Sequence, residues 1–425
     1  MIVVVVFGLI LILIFMEIVH RRRIFSIRDQ IGLRGPKPNL ITGNFESYMA
    51  PIRKRGPAAT PYTYPNFIKD YGQTCGVYFG TQLEILTVEP DIIKEVLVSQ
   101  FSNFVARKER ENEYYRLARS FVSNFAFNKS TIFRTSLAIP PVAHLRRYTA
   151  FGKPEAALVK DLSIKIRQRE RERKEGKIRP LPDIIDLILA ENEKRIEKGD
   201  CPLHHDVVVS NAWALFLAGY ETTSTALAFA SYLLGKYPDV QDQLREEIDS
   251  AFAPGDIVDY EKVMKLPHLH AVFCEVLRIY PPVITLTARK CIKETVIGGK
   301  WKVPVGVNVL APVHAIHWSE ENYERPMEFL PERFLSDVKP SWTPKYMPFG
   351  IGPRNCVGAR FAEMEFKTVL SEVLRRFVIH HDPLMYVHNL DEYRVLVLQI
   401  ELKTVHASVL RGPFDNVLYV KLIKR

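Results

Sequence analysis

Residues Phe349–Gly358 read FGIGPRNCVG and set one cysteine, Cys356, among three glycines directly before a predicted helix. Glycine permits positive φ and lets the backbone approach a bulky group closely. A cysteine at a helix N-terminus gains from the helix dipole, and the backbone N–H groups there can donate to a thiolate. As an isolated residue, Cys356 would be a reduced, buried cysteine in a tight turn. The whole stretch, which we call the cysteine loop, favours a thiolate that binds a ligand.

The cysteine loop resembles the heme-binding loop of the cytochrome P450 family, Phe-Gly-x-Gly-x-Arg-x-Cys-x-Gly, at every fixed position. The resemblance implies heme b as the cofactor, Cys356 as the axial ligand of its iron, and Arg354 as a contact of a heme propionate. A cysteinate ligand pushes electron density onto the iron and favours O–O cleavage. The cofactor-binding residues implied in this way are Cys356, Arg354, Phe349, Gly350, Gly358 and Arg289.

A second signal lies on a helix predicted to begin at Pro267 and to end before Pro281-Pro282. Glu275 and Arg278 are three residues apart and share one face of this helix. On a surface such a pair would stabilise the helix by a few tenths of a kcal/mol. Apolar neighbours surround this pair, however, and an enclosed ion pair needs further partners. The family resemblance supplies one, Arg333 of the segment PERF, and implies a structural triad of Glu275, Arg278 and Arg333.

A third signal is the stretch Ala218–Thr225, AGYETTST, inside a long apolar helix predicted over residues 206–237. Glycine in a helix interior costs about 1 kcal/mol, and serine and threonine are mediocre helix formers. The patch is either a kink whose threonines bond preceding carbonyls or a functional break in the helix. The family resemblance implies an oxygen-binding groove in which Gly219 opens the helix, Thr222 donates to dioxygen and Glu221 relays protons. The substrate-pocket residues implied with them are Phe216, Ala218, Val283 and Ile284.

The N-terminus predicts a membrane anchor. Residues Ile2–Val19 are apolar except for Glu17, and eighteen helical residues span about 27 Å, close to the thickness of a bilayer core. Three arginines follow this run instead of preceding it, which is the reverse of a secretory signal and places the remaining chain in the cytosol. A buried core helix is the alternative. We expect an anchor over 1–20, a basic and Gly/Pro-rich linker over 21–38, and a heme-thiolate catalytic domain over 39–425.

Composition limits the partners. The net charge of +10 suits nucleic acid, an acidic partner or an anionic membrane. Nucleic acid is the weakest of these, because the chain carries no zinc-finger spacing, RNA-binding aromatic signature or basic recognition helix, and none is expected as a partner. The five cysteines are odd in number and widely spaced, which suits a reducing compartment. We expect the four outside the cysteine loop to be small buried hydrophobes.

The patterning predicts a mainly α fold with small β-sheets, as in the cytochrome P450 fold. A hairpin is expected over 75–90, helices over 91–100, 206–237, 267–280 and 359–377, and short strands over 296–309. The wording of the motifs resembles microsomal animal members, in the branch that oxidises drugs and steroids. The interval from Phe104 to Gly219 is shorter than in full-length members, and no tryptophan fills the family's propionate-binding helix. Part of the helical half is therefore expected to be missing.

The resemblance implies a monooxygenase that inserts one atom of dioxygen into a lipophilic small molecule. Electrons would come from NADPH through NADPH–cytochrome P450 reductase, with cytochrome b5 as a further partner, at the endoplasmic reticulum membrane. The enzyme would be single-pass, with its catalytic domain facing the cytosol. The alternative is a non-catalytic or folding-impaired membrane-anchored relative, shortened by splicing or by its gene model, that retains the signatures. The intact Glu221-Thr222 pair favours catalysis, and the missing tryptophan helix favours the alternative.

Overall fold

The computed structural model describes residues 2–55, 60–104, 152–283, 288–335 and 343–381, and short strands between 397 and 424. Within these ranges, the side chains of 2–14, 216, 217, 220, 221 and 381, of several residues near the gaps, and of the short strands after 397 lie outside the description. The chain forms two compact units. The first comprises Met1–Tyr114 with Thr222–Arg425, and the second comprises Tyr115–Glu221.

The first helix, α1, covers Ile2–Ile31 and runs through the residues predicted to be an anchor and part of a linker. Its last turns belong to the core: Phe25 and Ile31 are buried, and the main-chain N–H of Arg28 donates to the Tyr78 hydroxyl over 3.1 Å. Residues 25–31, which lie within the stretch 21–38 expected to be a linker, therefore pack against the globular body. Among the helices assessed over their described residues, none combines the length and the apolar character needed to cross a membrane.

The next elements build the first strands of the main sheet. They are α2 (Phe45–Arg55), α3 (Thr60–Tyr71), β1 (Thr74–Phe79), β2 (Gln82–Thr87) and α4 (Pro90–Lys94). β1 and β2 form the predicted hairpin, with Gly80 at positive φ between them. The helix expected over 91–100 begins as α4 and continues as a π-helical turn, Glu95–Ser99. Such turns widen the helix by one residue and often mark a functional site.

The second unit is helical where it is described. It contains α5 (Gly152–Lys174), α6 (Ile184–Glu197) and the start of α7 (His205–Lys236). Asp183 begins α6 through a capping box with Asp186, in which each side chain satisfies a main-chain N–H at the helix start. The core of this unit is a small apolar cluster of Ile166, Leu189, Val208, Val209 and Ala212. The boundary between the two units falls inside α7, between Glu221 and Thr222.

The rest of the first unit carries most of its core. Its helices are α8 (Pro238–Ala251), α9 (Tyr260–Val263), α10 (Pro267–Ile279), α11 (Val313–His317) and α12 (Ala359–Arg376). Its strands are β3 (Arg289–Lys290), β4 (Thr295–Ile297), β5 (Trp301–Val303), β6 (Asn308–Leu310) and β7 (Phe377–His381). The C-terminal strands are β8 (Val397–Leu398), β9 (Glu401–Leu402), β10 (Val405–His406), β11 (Val417–Leu418) and β12 (Val420–Lys424).

The main sheet has the strand order β1-β2-β6-β3, with β2 and β6 parallel and the other pairs antiparallel. β4 pairs with β5, and β7 pairs with β12, both antiparallel. α10 lies at the centre of the largest apolar cluster, and its residues from Ala271 to Ile279 are all buried. A helix buried on every face must be enclosed by neighbouring elements, and this places the Glu275–Arg278 pair in the interior.

The predicted fold class, mainly α with small β-sheets, is confirmed. The prediction that four cysteines are buried is wrong for one of them: Cys75, Cys274 and Cys291 are buried, but Cys201 is exposed between α6 and α7. It follows a turn at Gly199 with positive φ, and turns of this kind lie on the surface. The interval from Phe104 to Gly219, where helices are predicted to be missing, includes residues 105–151, which lie outside the described residues. That prediction therefore stays a prediction.

Candidate functional site

The cysteine loop is a run of tight turns that ends at the start of α12. The N–H of Gly350 donates to the Met347 carbonyl over 3.0 Å, and the N–H of Asn355 donates to the Gly352 carbonyl over 3.0 Å. The N–H of Cys356 donates to the Phe349 carbonyl over 2.9 Å, which closes the loop on itself. The backbone bonds are thus made inside the loop, so its shape does not depend on the side chain of Cys356.

Two glycines give the loop its path. Gly350 and Gly352 have φ of 74° and 79°, a region that other residues enter only at a cost of about 1–2 kcal/mol. A Cβ at Gly350 would meet nothing closer than the Asn355 Cα at 3.8 Å. A Cβ at Gly352 would instead collide with the carbonyl oxygen of Leu97 in the π-helical turn. Gly352 therefore lets the loop rest directly on that turn.

Cys356 is exposed and lies three residues before α12, whose N-cap is Gly358. Two apolar residues that follow it in the chain, Val357 and Phe361, are 87% and 58% exposed. A Cβ at Gly358 would lie 3.9 Å from the Cys356 Sγ, which is an ordinary van der Waals contact, so Gly358 lies directly beside the sulfur. An exposed cysteine just before a helix N-terminus, followed by exposed apolar residues, is accessible to a flat apolar ligand.

The buried cysteines are in a different environment. Burial raises the pKa of Cys75 to about 12, against a smaller opposing effect of Arg28. Burial likewise raises the pKa of Cys274 to about 12, and burial also raises the pKa of Cys291. A raised pKa disfavours the thiolate form that binds a metal, so burial makes these three cysteines poor candidates for the ligand. Exposure and the loop geometry together single out Cys356.

The other residues predicted to bind the cofactor are placed as follows. Phe349 is half-buried and stacks on Phe273 of α10, with ring centroids 6.1 Å apart. Arg354 is exposed on the cysteine loop. Arg289 is buried on β3, where its Nη1 donates to the Ala288 carbonyl over 3.0 Å. The structure thus puts Phe349 and Arg354 with Cys356 on one loop, whereas Arg289 lies on the main sheet.

The structure brings the predicted triad together. Arg278 and Glu275 form a two-pronged pair, with Nε to Oε2 at 2.7 Å and Nη2 to Oε1 at 2.8 Å, and both side chains are fully buried. The Nε of Arg333 lies 3.5 Å from Glu275 Oε1, and the Leu330 N–H donates to the same oxygen over 3.0 Å. Burial raises the pKa of Glu275, and the hydrogen bonds of Arg278 oppose that effect.

Arg278 uses all five of its N–H donors. Beyond the two bonds to Glu275, Nη1 donates to the carbonyls of His317 and Pro326 over 3.0 and 2.8 Å, and Nη2 donates to the carbonyl of Glu328 over 3.2 Å. Arg333 donates to the Arg325 carbonyl over 2.9 Å. The two arginines together hold the irregular segment that follows α11, so the triad organises backbone as well as charge.

The AGYETTST residues lie on α7. Thr222 and Gly219 are half-buried, Ala218 is exposed, and a Cβ at Gly219 would meet no atom within 4 Å in the described part of the chain. The side chains of Glu221 and Phe216 lie outside the description. Of the remaining predicted pocket residues, Val283 is half-buried after α10, and Ile284 lies outside the described residues. Their predicted roles stay predictions.

Two residues with clear structural roles were absent from the prediction. Gly352 belongs to the quoted motif, yet its need arises from Leu97, which is far away in the sequence. His317 contacts both Arg278 and Met347, and nothing in its sequence surroundings distinguishes it from the other eleven histidines. Contacts between distant segments leave no local pattern, so neither structural role could be predicted from the sequence around these residues.

Comparison with known proteins agrees with the cysteine loop. The family model described as Cytochrome P450 matches residues 108–406. Cytochrome P450 3A2 of Rattus norvegicus is 34% identical over 241 residues, 56% of this chain and 47% of the relative. Cytochrome P450 9e2 of Blattella germanica is 34% identical over 286 residues, 64% of this chain and 52% of the relative. Cytochrome P450 3A13 of Mus musculus is 25% identical over 460 residues, 87% of this chain and 89% of the relative.

In these alignments the chain spans about half the length of the first curated relatives it matches. The 3A members among them agree with the branch that the motifs predicted. The match to the family model extends over more than half of the chain and includes the cysteine loop, the triad and the α7 motif. On this evidence the chain belongs to the cytochrome P450 family.

Proposed function

We propose that the chain is a heme-thiolate monooxygenase that inserts one atom of dioxygen into a lipophilic small molecule. The observation that carries the proposal is the exposed thiol of Cys356 on the cysteine loop, directly before α12. Gly352 lets this loop pack directly on the π-helical turn. The family match supports the reaction class.

The residues present fit a heme. Cys356 would bind the iron, Arg354 and Arg289 would contact the propionates, and the exposed side chains of Val357 and Phe361 would cover apolar ring surface. A soft thiolate is a suitable donor for this iron. When bound, the heme supplies the redox chemistry by which dioxygen is activated. The contribution of the chain is a single thiolate, a fixed loop and guanidinium groups for carboxylates.

The α7 motif would handle protons. The Thr222 hydroxyl can donate a hydrogen bond to dioxygen, and Glu221 can pass protons from solvent to that hydroxyl. Replacement of Thr222 by alanine is expected to slow turnover while leaving heme content unchanged, because the hydroxyl and the thiolate act separately.

Electrons would come from NADPH through NADPH–cytochrome P450 reductase, with cytochrome b5 as a further partner. Exposed cations on and beside the cysteine loop, Arg354, Lys345 and Arg360, support an acidic flavoprotein as the donor. Because a charge-steered encounter weakens as the Debye length shrinks, reduction by the reductase should slow with added salt. A rate independent of salt would argue against this docking.

We further propose a single-pass anchor in the endoplasmic reticulum membrane, with the catalytic domain facing the cytosol. The apolar run Ile2–Val19 supports it, as do the exposed apolar side chains of Phe15, Met16 and Val19 on α1. Arginines follow directly at 21–23 and suit a cytosolic, anionic membrane face. Lipophilic substrates partition into the same bilayer. Membrane flotation of the full chain, and its loss on deletion of residues 2–19, would test the anchor.

The decisive experiment concerns the thiolate. The full chain would be expressed with heme supplied, reduced, exposed to carbon monoxide and examined in the Soret region. The red-shifted band of thiolate-ligated heme is expected, with loss of that band in Cys356→Ala. Cys201→Ala is the matched control, since that cysteine is also exposed and lies outside the loop. If the wild-type chain takes up no heme, the non-catalytic alternative replaces the proposal.

A further inference from the structure

His317, the last residue of α11, is fully buried between the triad and the cysteine loop. Its Nδ1 lies 3.2 Å from the Arg278 carbonyl oxygen, and the main-chain N–H of Met347 donates to its Nε2 over 3.0 Å. A carbonyl oxygen only accepts and a main-chain N–H only donates, so Nδ1 carries the proton and Nε2 does not. The contacts therefore define a single neutral tautomer.

The surroundings hold this imidazole in place. The Nη1 of Arg278 donates to the carbonyl of His317 over 3.0 Å, and the ring of Tyr346 stacks on the imidazole with centroids 5.5 Å apart. Burial, and then the nearby charge of Arg278, lowers the pKa of His317 to about 3. The ring is therefore neutral near neutral pH and offers one donor and one acceptor in fixed directions.

Met347 is where the body of the fold passes into the cysteine loop. Its carbonyl accepts from Gly350, the first glycine of the loop, over 3.0 Å. The N–H of the same residue is the group that His317 accepts. A continuous path of hydrogen bonds thus leads from the triad arginine through one imidazole to the first turn of the loop. The main-chain N–H of Cys356 is bonded within that loop.

We propose that His317 is a positioning residue that links the buried triad to the start of the cysteine loop and so sets where the Cys356 thiolate lies. The part of this inference that concerns heme rests on the proposed function. The part that concerns the loop does not, because the Met347 N–H reports on it in the heme-free chain. A histidine that merely fills core volume would be replaceable by an aromatic residue of similar size.

The test compares two amides. The terminal amide of glutamine reaches the position of Nε2, whereas that of asparagine reaches only the position of Nδ1. His317→Gln can therefore still accept from Met347, and His317→Asn can bond only Arg278. His317→Phe keeps volume and stacking but makes neither bond. His314→Phe, one turn earlier on α11 and also buried, is the matched control for repacking that helix.

Each variant would be made in the full chain and studied with and without heme. The first readout is hydrogen exchange at the Met347 amide without heme; the second is the fraction of thiolate-type carbon monoxide spectrum with heme. We expect His317→Gln and His314→Phe to stay close to wild type in both. His317→Asn should expose the Met347 amide and weaken heme retention by about 10–100-fold, the usual effect of removing a group that orients a metal ligand.

Equal behaviour of the Gln and Asn variants would overturn the proposal, as would wild-type behaviour of His317→Phe. If His317→Phe fails to fold, the Gln and Asn pair still decides the question. If no variant and no wild-type chain binds heme, the proposed function fails, and amide exchange alone still tests the link. Unchanged exchange at Met347 in His317→Asn would then refute it.

Discussion

The three glycines of the cysteine loop differ in their backbone conformation and in the atoms that a side chain would meet. Gly350 is required by its positive φ alone, because a methyl group would find space there. Gly352 is required by its φ and also by its contact with the Leu97 carbonyl. Gly358 has an ordinary φ of −91°, and a Cβ there would make only an ordinary contact with the Cys356 sulfur, at 3.9 Å. One sequence motif thus contains two left-handed turns, only one of which also requires a close backbone approach.

These reasons predict different costs for alanine. Gly350→Ala should lower the free energy of unfolding by about 1–2 kcal/mol, the cost of a left-handed alanine. Gly352→Ala should lower it by about 1–3 kcal/mol more, because the loop must also move off the π-helical turn. Urea unfolding of both variants, followed by tryptophan fluorescence, would measure the difference. Equal losses would show that the contact with Leu97 contributes nothing.

The buried pair at the triad predicts a large effect of a single substitution. Arg278→Met would leave Glu275 buried with only the Leu330 N–H and the more distant Arg333 as partners, and the three bonds of Arg278 to backbone carbonyls would be lost. Breaking a buried pair in this way costs about 3–5 kcal/mol. Urea unfolding should show this loss, whereas Arg376→Met, which breaks an exposed pair with Glu372, should change stability by less than about 1 kcal/mol.

If Arg278→Met and Arg376→Met lower the free energy of unfolding by the same small amount, the structural role of the triad is contradicted.

The Glu275–Arg278 pair could be predicted from its three-residue spacing among apolar neighbours. The three backbone carbonyls that complete the guanidinium shell could not, because they come from the end of α11 and the irregular segment after it, which has no periodic pattern. The sequence therefore predicted the charged side chains of the triad but not the backbone carbonyls that bind Arg278.

Between helices, the start of α10 depends on α8. Glu247 of α8 accepts from the main-chain N–H groups of His268 and Leu269 over 2.8 and 2.9 Å, and so satisfies donors that α10 leaves free. Glu247→Ala should cost about 0.5–2 kcal/mol, the usual value of a lost N-terminal cap. Glu246→Ala, at the exposed neighbouring position, is the control and should be near neutral. Thermal unfolding that does not distinguish the two would reject this cap.

The elements with strong local signals were predicted well. α7, α10 and α12 have apolar patterns, prolines or charges that mark their limits, and the structure has them within a few residues of the prediction. The continuation of α1 to Ile31 was not predicted, because residues 21–38, with the glycine and prolines at 35–38, indicated a linker. What places Phe25 and Ile31 in the core is their contact with β1 and later strands, which local sequence does not encode.

In the whole chain, the predicted functional residues are distributed over both units. The cysteine loop, the triad and Arg289 belong to the first unit, whereas Gly219 and Glu221 belong to the second and Thr222 begins the return to the first. Family membership rests on motifs from both. A motif such as AGYETTST can therefore be recognised in sequence even though its helix passes from one compact unit into the other.

The first unit also contains buried groups that make it sensitive to acid. Burial lowers the pKa of His314 and of His317 from 6.5 to about 3; His317 adds to the shift of His314, and Arg278 to that of His317. Because both are neutral when folded and gain protons when unfolded, the unfolded chain binds more protons below pH 6.5. Stability must then fall as the pH drops from about 6.5 towards 3.

Each histidine should cost about 1.4 kcal/mol per pH unit across that window, so the pair should give a slope of roughly 2–3 kcal/mol per unit. Glu363 adds a further loss of stability at lower pH. Burial acts to raise its pKa, but bonds from His270 and Lys367 lower it to about 2. Its contribution to stability is therefore lost as the pH falls below about 4.5. Urea unfolding of the first unit at a series of pH values would measure the slope. The double variant His314→Phe/His317→Gln should remove the part between pH 6.5 and 4.5, and an unchanged slope there would show that other groups carry the acid sensitivity.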